Sequence, residues 1–372
     1  MRLHLLVLCL QLGACGAPDP AAAVVKQYVI LMHANSADVV TQLQAFKTAV
    51  EAFVANPTAD GLTATQQAWL AARPVYGQLE SARFYNGPVD VVNGGANEWP
   101  IDENFIDYTD GNPSGGLINM PDQFPQITPQ ALANSDERGG IENLSTGFHA
   151  IEFLLWGQRL DQTLGPGQRP YTDYLDGGTA ANQGRRRTYL QAATDLLLAD
   201  LTGVTAQFDP DQAGSYGATM IAAAPHDGLS KILRGFTSMA ISELYYERMT
   251  DPYLTQARKD EESCFSESTQ IDLAANMLGV ENVYLGRYGA LTGASVSDLI
   301  KAKNPALDAT LRMEMTASRA AIDAIPPPFD HAVIAPATSD ANQKVKAALD
   351  TFVPMIDSLH GVAGLLGIMV NI

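Results

Sequence analysis

Gly147-Phe148-His149-Ala150-Ile151-Glu152-Phe153-Leu154-Leu155-Trp156-Gly157-Gln158 is an apolar segment bracketed by glycines. Leu144, Phe148, Ile151 and Leu155 recur at helical spacing and form one apolar stripe. Ser145, His149, Glu152 and Trp156 form a second stripe beside it. The segment therefore predicts a buried helix, set within Glu142 to Gln158. His and Glu three apart on a helix stand about 5–6 Å apart at Cβ, so His149 and Glu152 can share one metal ion or hydrogen-bond to each other. A free carboxylate in such surroundings is costly, so Glu152 needs a partner: His149, a metal or an arginine from elsewhere. Spacing alone favours the plainer reading, a satisfied core pair. Gly147 inside a helix costs roughly 1 kcal/mol against Ala. Either the helix starts there or another backbone comes close.

Outward from this segment the pattern stays helical. Ala21 to Ala55 carries Val25, Tyr28, Val29, Met32, Val39, Leu43, Phe46, Val50 and Phe53 at helical spacing, and Asn56-Pro57-Thr58 ends it. Leu62 to Tyr85 reads as a second helix, with Trp69, Arg73, Tyr76, Glu80 and Arg83 on one face. Further helices are predicted over Arg185–Phe208, Leu229–Met249, Ile271–Leu278, Pro305–Ile325 and Ala341–Leu366. Glu243 and Glu247, four apart, repel unless a cation such as Arg248 or a metal intervenes. Residues 86–140 are dense in Gly, Pro, Asn and Asp and read as a long loop region carrying Glu98-Trp99-Pro100-Ile101-Asp102-Glu103. Lys259-Asp260-Glu261-Glu262-Ser263-Cys264 is an acidic cluster followed by Ser and Cys. No stretch alternates as a strand does. The expectation is an all-α protein of two helical-bundle halves, residues 21–182 and 183–372. Gly147-Phe148 and Gly235-Phe236 are candidate corresponding points of an internal duplication.

The 372 residues exceed one compact core of ordinary size. Lys+Arg total 23 against 41 Asp+Glu, a net charge of −18, which argues against nucleic-acid binding and against a polybasic membrane patch. Arg2 followed by the apolar run Leu3 to Leu12 reads as a signal segment, too short to span a bilayer. Leu12-Gly13-Ala14-Cys15 looks like a lipobox, with Cys15 the lipidated residue and residues 16–20 a tether. The expected setting is export and lipid anchoring, by default at the outer membrane, facing the periplasm or the cell surface. Cys9 leaves with the signal and Cys15 anchors, so Cys264 alone remains and no internal disulfide is expected.

These motifs together resemble the imelysin-like family, near its branch called iron-regulated protein A. The resemblance rests on Ala68-Trp69 with Arg73 and Glu80, on Trp99-Pro100-Ile101-Asp102-Glu103, and on Gly147 to Gly157. Glu243-Leu244 with Glu247-Arg248-Met249, Ser263-Cys264-Phe265-Ser266 and Gly279-Val280-Glu281-Asn282 extend it over nearly the whole mature chain. It implies a helical fold of two duplicated bundles, with the Gly-x-His-x-x-Glu motif at a cleft between them. One founding member is described as a metallopeptidase, and relatives include iron-binding uptake components. The chain departs from the family pattern at Glu262, where the acidic cluster usually carries His. It departs again at Tyr245 and Tyr246, where the residues are usually small.

The resemblance makes His149 and Glu152 the expected metal ligands. Arg73, Glu80, Asp102, Glu103, Glu247, Arg248, Asp260, Glu261 and Ser263 are candidate cleft or supporting residues. Oxygen donors with one imidazole suit iron, with zinc the alternative. The leading expectation is binding of a metal or a metal-bearing ligand in iron acquisition. A hydrolytic zinc site needs a third ligand and an open water position; no His-Glu-x-x-His supplies them, and the peptidase alternative leaves its third ligand unassigned. A non-catalytic module binding a peptide or a partner is the remaining alternative. Whether the chain is an enzyme stays open, as does its oligomeric state.

Overall fold

The structure is a computed structural model that describes residues 19–159 and 165–370. The expected signal segment and Cys15 lie outside the described residues. Helix α1 spans Pro20–Ala55. Asp19 caps it by accepting from the Ala21 amide at 2.9 Å, and Pro20 occupies a first-turn position that needs no N–H donor. Helix α2, Ala59–Leu79, is capped by Thr58 Oγ1 on the Gly61 amide at 3.0 Å. Helices α3, Pro88–Asn97, and α4, Gly147–Trp156, flank the long connection. Then come α5, Gln183–Phe208, and α6, Pro225–Ser238, which continues unbroken as a π-helix over Met239–Thr250. Helices α7, Thr269–Leu285, α8, Pro305–Asp323, and α9, Asp340–Leu366, complete the frame. Strand pairing among the described residues is confined to Arg287–Tyr288 with Leu291–Thr292 and one isolated bridge. No described helix is long and apolar enough to cross a membrane.

The protein is all-α. Helices α1, α2, α4 and α5 pack on one another, and α6 with its π extension, α7, α8 and α9 form the second group. Each group opens and closes on its two longest helices, as a duplicated bundle would. Helix α5 begins at the expected boundary, residue 183, yet it packs on α1 and α4, with the elements before it. The groups meet where α2 crosses α7, and buried apolar side chains from Val24 to Ile368 form one continuous core.

That crossing is close because glycine lines it from both sides. A Cβ on Gly77 would sit 2.9 Å from Ala275 Cβ, and one on Gly279 2.5 Å from the Gln78 carbonyl oxygen. Gly147 answers both readings of its oddity at once. It starts α4 at φ +83°, and a Cβ there would lie 2.6 Å from the Ala96 carbonyl oxygen. Gly235 is different: it sits inside α6, pressed on the Ser81 carbonyl.

Two expected spans change. Residues 142–146 stay outside α4, because the Ser145 amide and the Thr146 hydroxyl bond to Asp136 and the Gly95 carbonyl at 2.7 and 2.9 Å. Helix α7 outruns the predicted Ile271–Leu278, because Glu281 and Asn282, which break its apolar pattern, are buried and paired. Three arginines at the start of α5 are unfavourably placed for the helix dipole. They instead hold the loops: Arg185 Nε donates to the Ile118 carbonyl at 2.7 Å, Arg186 Nη2 to Asp107 Oδ1 at 2.8 Å and Arg187 Nη2 to Asp176 Oδ1 at 2.8 Å.

Candidate functional site

The crossing of α2 and α7 carries a buried ionic seam. Arg73, on α2, donates from Nε to Asp272 Oδ1 and from Nη2 to Glu262 Oε1, each at 2.9 Å, and from Nη1 to Asn97 Oδ1. Its guanidinium lies 4.8 Å over the Phe148 ring, which ties the seam to α4. Arg248, on the π-helix, forks onto Glu80 at 2.9 and 2.8 Å and reaches Asn276 Oδ1 at 2.6 Å. Its Nη1 is 3.0 Å from Glu262 Oε2. Glu243, five residues earlier, accepts from Arg248 Nη2 at 3.1 Å and lies 3.3 Å from Arg83. That pairing follows the π-helical turn, in which residues five apart stack.

Among the described residues the seam thus sets the carboxylates Glu80, Glu243, Glu262 and Asp272 against the guanidiniums Arg73, Arg83 and Arg248. One carboxyl is in excess, and the strain of burying an uncompensated charge falls unequally. Burial pushes Glu80 up, but Arg248, with Arg83 and Arg73, outweighs it and holds the group at about 2. Burial wins at Glu262, pushed up to about 7 against Arg248 and Arg73, and Asp272 is raised for the same reason.

Next to the seam, Trp99, Glu103, His149, Arg159, Glu261, Glu262, Cys264 and Phe265 help line a cavity of about 100 Å³. His149 Nδ1 lies 2.9 Å from Glu152 Oε2. Glu152 Oε1 accepts from the Ser266 amide at 2.8 Å and its hydroxyl at 2.7 Å. Glu152 is therefore fully engaged and fixes the imidazole, as a carboxylate behind a ligating histidine does. His149 Nε2 is buried and has no hydrogen-bond partner. Burial, then Arg73, pulls the imidazole down to about 3, so it is neutral; in the tautomer that donates Nδ1–H to Glu152, Nε2 keeps a lone pair. Glu261 is buried too, and none of the described ion pairs reaches it. Burial and Asp330 push its carboxyl up to about 8, against the Thr269 hydroxyl and Arg159. The cavity thus holds a buried imidazole nitrogen with no hydrogen-bond partner and a buried carboxyl that none of the described ion pairs reaches, with Arg159, Arg258 and Lys259 also among its lining residues.

The imelysin family model matches residues 32–358. The chain belongs to the imelysin family. It is 26% identical over 342 residues to iron-regulated protein A of Synechococcus elongatus, covering 88% of this chain and 82% of that protein. A solved structure described as an iron-regulated protein A precursor from Parabacteroides distasonis superposes with a TM-score of 0.74 at 21% identity, covering 95% and 97% of the two chains. An imelysin-like protein from Psychrobacter arcticum gives 0.66 at 15% identity, covering 96% and 100%. These two share the fold.

Within this imelysin fold the expected residues separate. Arg73, Glu80 and Arg248 join in the seam, and the Ser263 hydroxyl supports it through Asp272 Oδ2 at 2.5 Å. His149, Glu103 and Glu261 line the cavity. Glu152, expected as a second ligand, bonds to His149 Nδ1 and to the Ser266 amide and hydroxyl. Three expectations are corrected. Asp102 caps a short helix, accepting from the Asn104 amide at 3.0 Å. Asp260 sits in the turn before the cavity and does not line it. Glu247 is exposed on the π-helix, where Glu243 holds the buried position. Sequence reasoning missed Asn97, Asp272 and Asn276. Their only signal was Asp272 and Asn276, four apart in an otherwise apolar helix. Among the described residues, the sole group of three His, Cys, Asp or Glu donors within 4.8 Å of one another is Glu267, Asp330 and His331. There Asp330 Oδ2 already meets Arg159 at 3.1 Å and Arg258 at 3.0 Å.

The raised carboxyls set a pH dependence. Burial lifts Glu152 to about 7, against the Ser266 hydrogen bonds, with Glu262 also near 7 and Glu261 near 8, from an ordinary 4.5. Between 4.5 and those values the folded protein holds more protons than the unfolded chain, so stability falls as pH rises through the window. His149 opposes this only below its ordinary 6.5. Thermal melts should therefore show the midpoint dropping by several degrees from about pH 6.5 to about pH 8.5. The Glu152→Gln/Glu261→Gln double variant should flatten the slope. A midpoint that rises over that range contradicts the assignment.

Proposed function

We propose that this imelysin-family protein binds a metal ion, iron by preference, in the cavity beside the seam. His149 Nε2 and Glu261 are its inner donors, and Glu152 is the group that orients His149. One observation carries this: a buried imidazole nitrogen with no hydrogen-bond partner lines the same cavity as a buried carboxyl that none of the described ion pairs reaches. The donor set, one nitrogen with carboxyl oxygens, fits iron and accommodates zinc. The name of the Synechococcus elongatus relative supports iron over zinc. Two protein donors leave coordination positions open, so the ion is expected to bring ligands of its own. A cavity of about 100 Å³ has room for an ion and about three waters, each occupying about 30 Å³, but none for a peptide segment. The role is uptake or buffering of iron in an exported protein, anchored through Cys15.

The test is a titration of purified protein with ferrous iron and with zinc, read by calorimetry and by metal content. Wild type should bind about one ion. His149→Ala should abolish binding, and Glu152→Gln should weaken it roughly 10- to 100-fold through loss of orientation. Binding that survives His149→Ala unchanged would reject the site.

A further inference from the structure

The cavity beside the seam is walled by cations as well as by donors. Arg159, Arg258 and Lys259 share its lining with His149 and Glu261. Positive side chains repel a bare metal ion, so each needs an account. Arg159 pairs with Glu267 and, at 3.1 Å, with Asp330. Arg258 pairs with Asp330 at 3.0 Å. Lys259 differs from both. Its ion pair is with Glu142, off the cavity, at 3.7 Å, beyond hydrogen-bond reach. Glu103, the acid on the same lining, is instead met by the Gln158 amide at 3.0 Å.

Exposure orders these groups by depth. His149 and Glu261 are buried, at 2% and 1%, whereas the Lys259 side chain is 68% exposed. The donors therefore form the floor and the ammonium stands at the mouth. A divalent ion held by one imidazole and one carboxylate stays positive and keeps open coordination positions. Waters would fill those positions but leave ion and ammonium opposed. An oxyanion fills them and lies between the two charges. Its size is bounded by a cavity of about 100 Å³, which beside the ion leaves the space of about three waters. That admits a carbonate and excludes a polycarboxylate.

We infer that the cavity takes its metal together with a small oxyanion of the carbonate class, which bridges the ion at His149 and Glu261 to the Lys259 ammonium. This rests on the metal reading given above, and it names the ligand that the ion brings. Bicarbonate reaches the position by coordinating through oxygen and releasing its proton to solvent. The flexible lysine stem lets the ammonium follow the anion inward.

Anaerobic calorimetry with ferrous iron, and with zinc, tests the idea in buffer stripped of carbon dioxide and in the same buffer with bicarbonate or phosphate. In wild type, bicarbonate should tighten metal binding at least tenfold and phosphate should do less. Lys259→Gln removes a repelling charge, so without bicarbonate it should bind the ion at least as tightly as wild type. It should then gain less than twofold from bicarbonate, and Lys259→Arg should recover most of the gain. Metal binding indifferent to bicarbonate in wild type overturns the bridging anion and leaves the metal site standing. A full gain retained in Lys259→Gln, or a larger gain from phosphate, overturns the assignment as stated. No metal uptake in any buffer fails the metal reading and the anion with it.

Discussion

Arg248→Ala is expected to cost at least 3–5 kcal/mol, the loss typical of removing one partner of a buried ion pair, and to lower the melting temperature by more than any surface substitution. The reason is geometric. Arg248 is fully buried and meets Glu80 with both Nη atoms, Glu243 at 3.1 Å and Glu262 at 3.0 Å. Its truncation leaves three buried carboxylates facing one another with Arg73 and Arg83 as the remaining cations. Lysine at 248 keeps the charge but not the planar fork, and it should recover only part of the loss. Calorimetry of the two variants beside wild type decides the matter. A loss below about 1 kcal/mol for Arg248→Ala would mean that the seam is not what holds the groups together.

Gly147→Ala is expected to be nearly as damaging, at roughly 3 kcal/mol, because two penalties coincide. The residue has φ +83°, disfavoured for any side chain, and the added Cβ would lie 2.6 Å from the Ala96 carbonyl oxygen. Relief requires α4 to move, and α4 carries His149 and Glu152. Metal affinity should therefore fall with stability. Gly94→Ala is the control. It lies inside α3 with nothing within 4 Å of its added Cβ, and it should be neutral or stabilising by up to about 1 kcal/mol. Equal effects at the two glycines would refute the account of Gly147.

Much of this was legible in the chain. The apolar period placed α1, α4 and α9, and the Trp69, Arg73, Tyr76, Glu80, Arg83 face already mixed charge with aromatics in a way a solvated surface rarely does. His149 and Glu152, three apart, were bound to meet. What escaped has identifiable causes. Glu243 and Glu247 looked like neighbours in need of a shared cation because helical reasoning counts in fours. A π-helix counts in fives, which gives Arg248, one of the cations expected there, to Glu243 and leaves Glu247 exposed. Asp272 and Asn276 read as interruptions of an apolar helix, since their partners, Arg73 on α2 and Glu80 just beyond it, lie about two hundred residues away in sequence. Asn97 joins the seam from the end of α3, and no local pattern announces an amide that serves a distant guanidinium. The orienting role of Glu152 needed Ser266, which only the fold brings to it.

The seam also bears on how the two helix groups hold together. The first bundle contributes Arg73 and Arg83 with Glu80, an excess of guanidinium. The second contributes Arg248 with Glu243, Glu262 and Asp272, an excess of carboxylate. Neither group balances its buried charge alone, and each is neutralised by the other. Parting the two would strand guanidinium on one face and carboxylate on the other, so the seam binds them into one cooperative body.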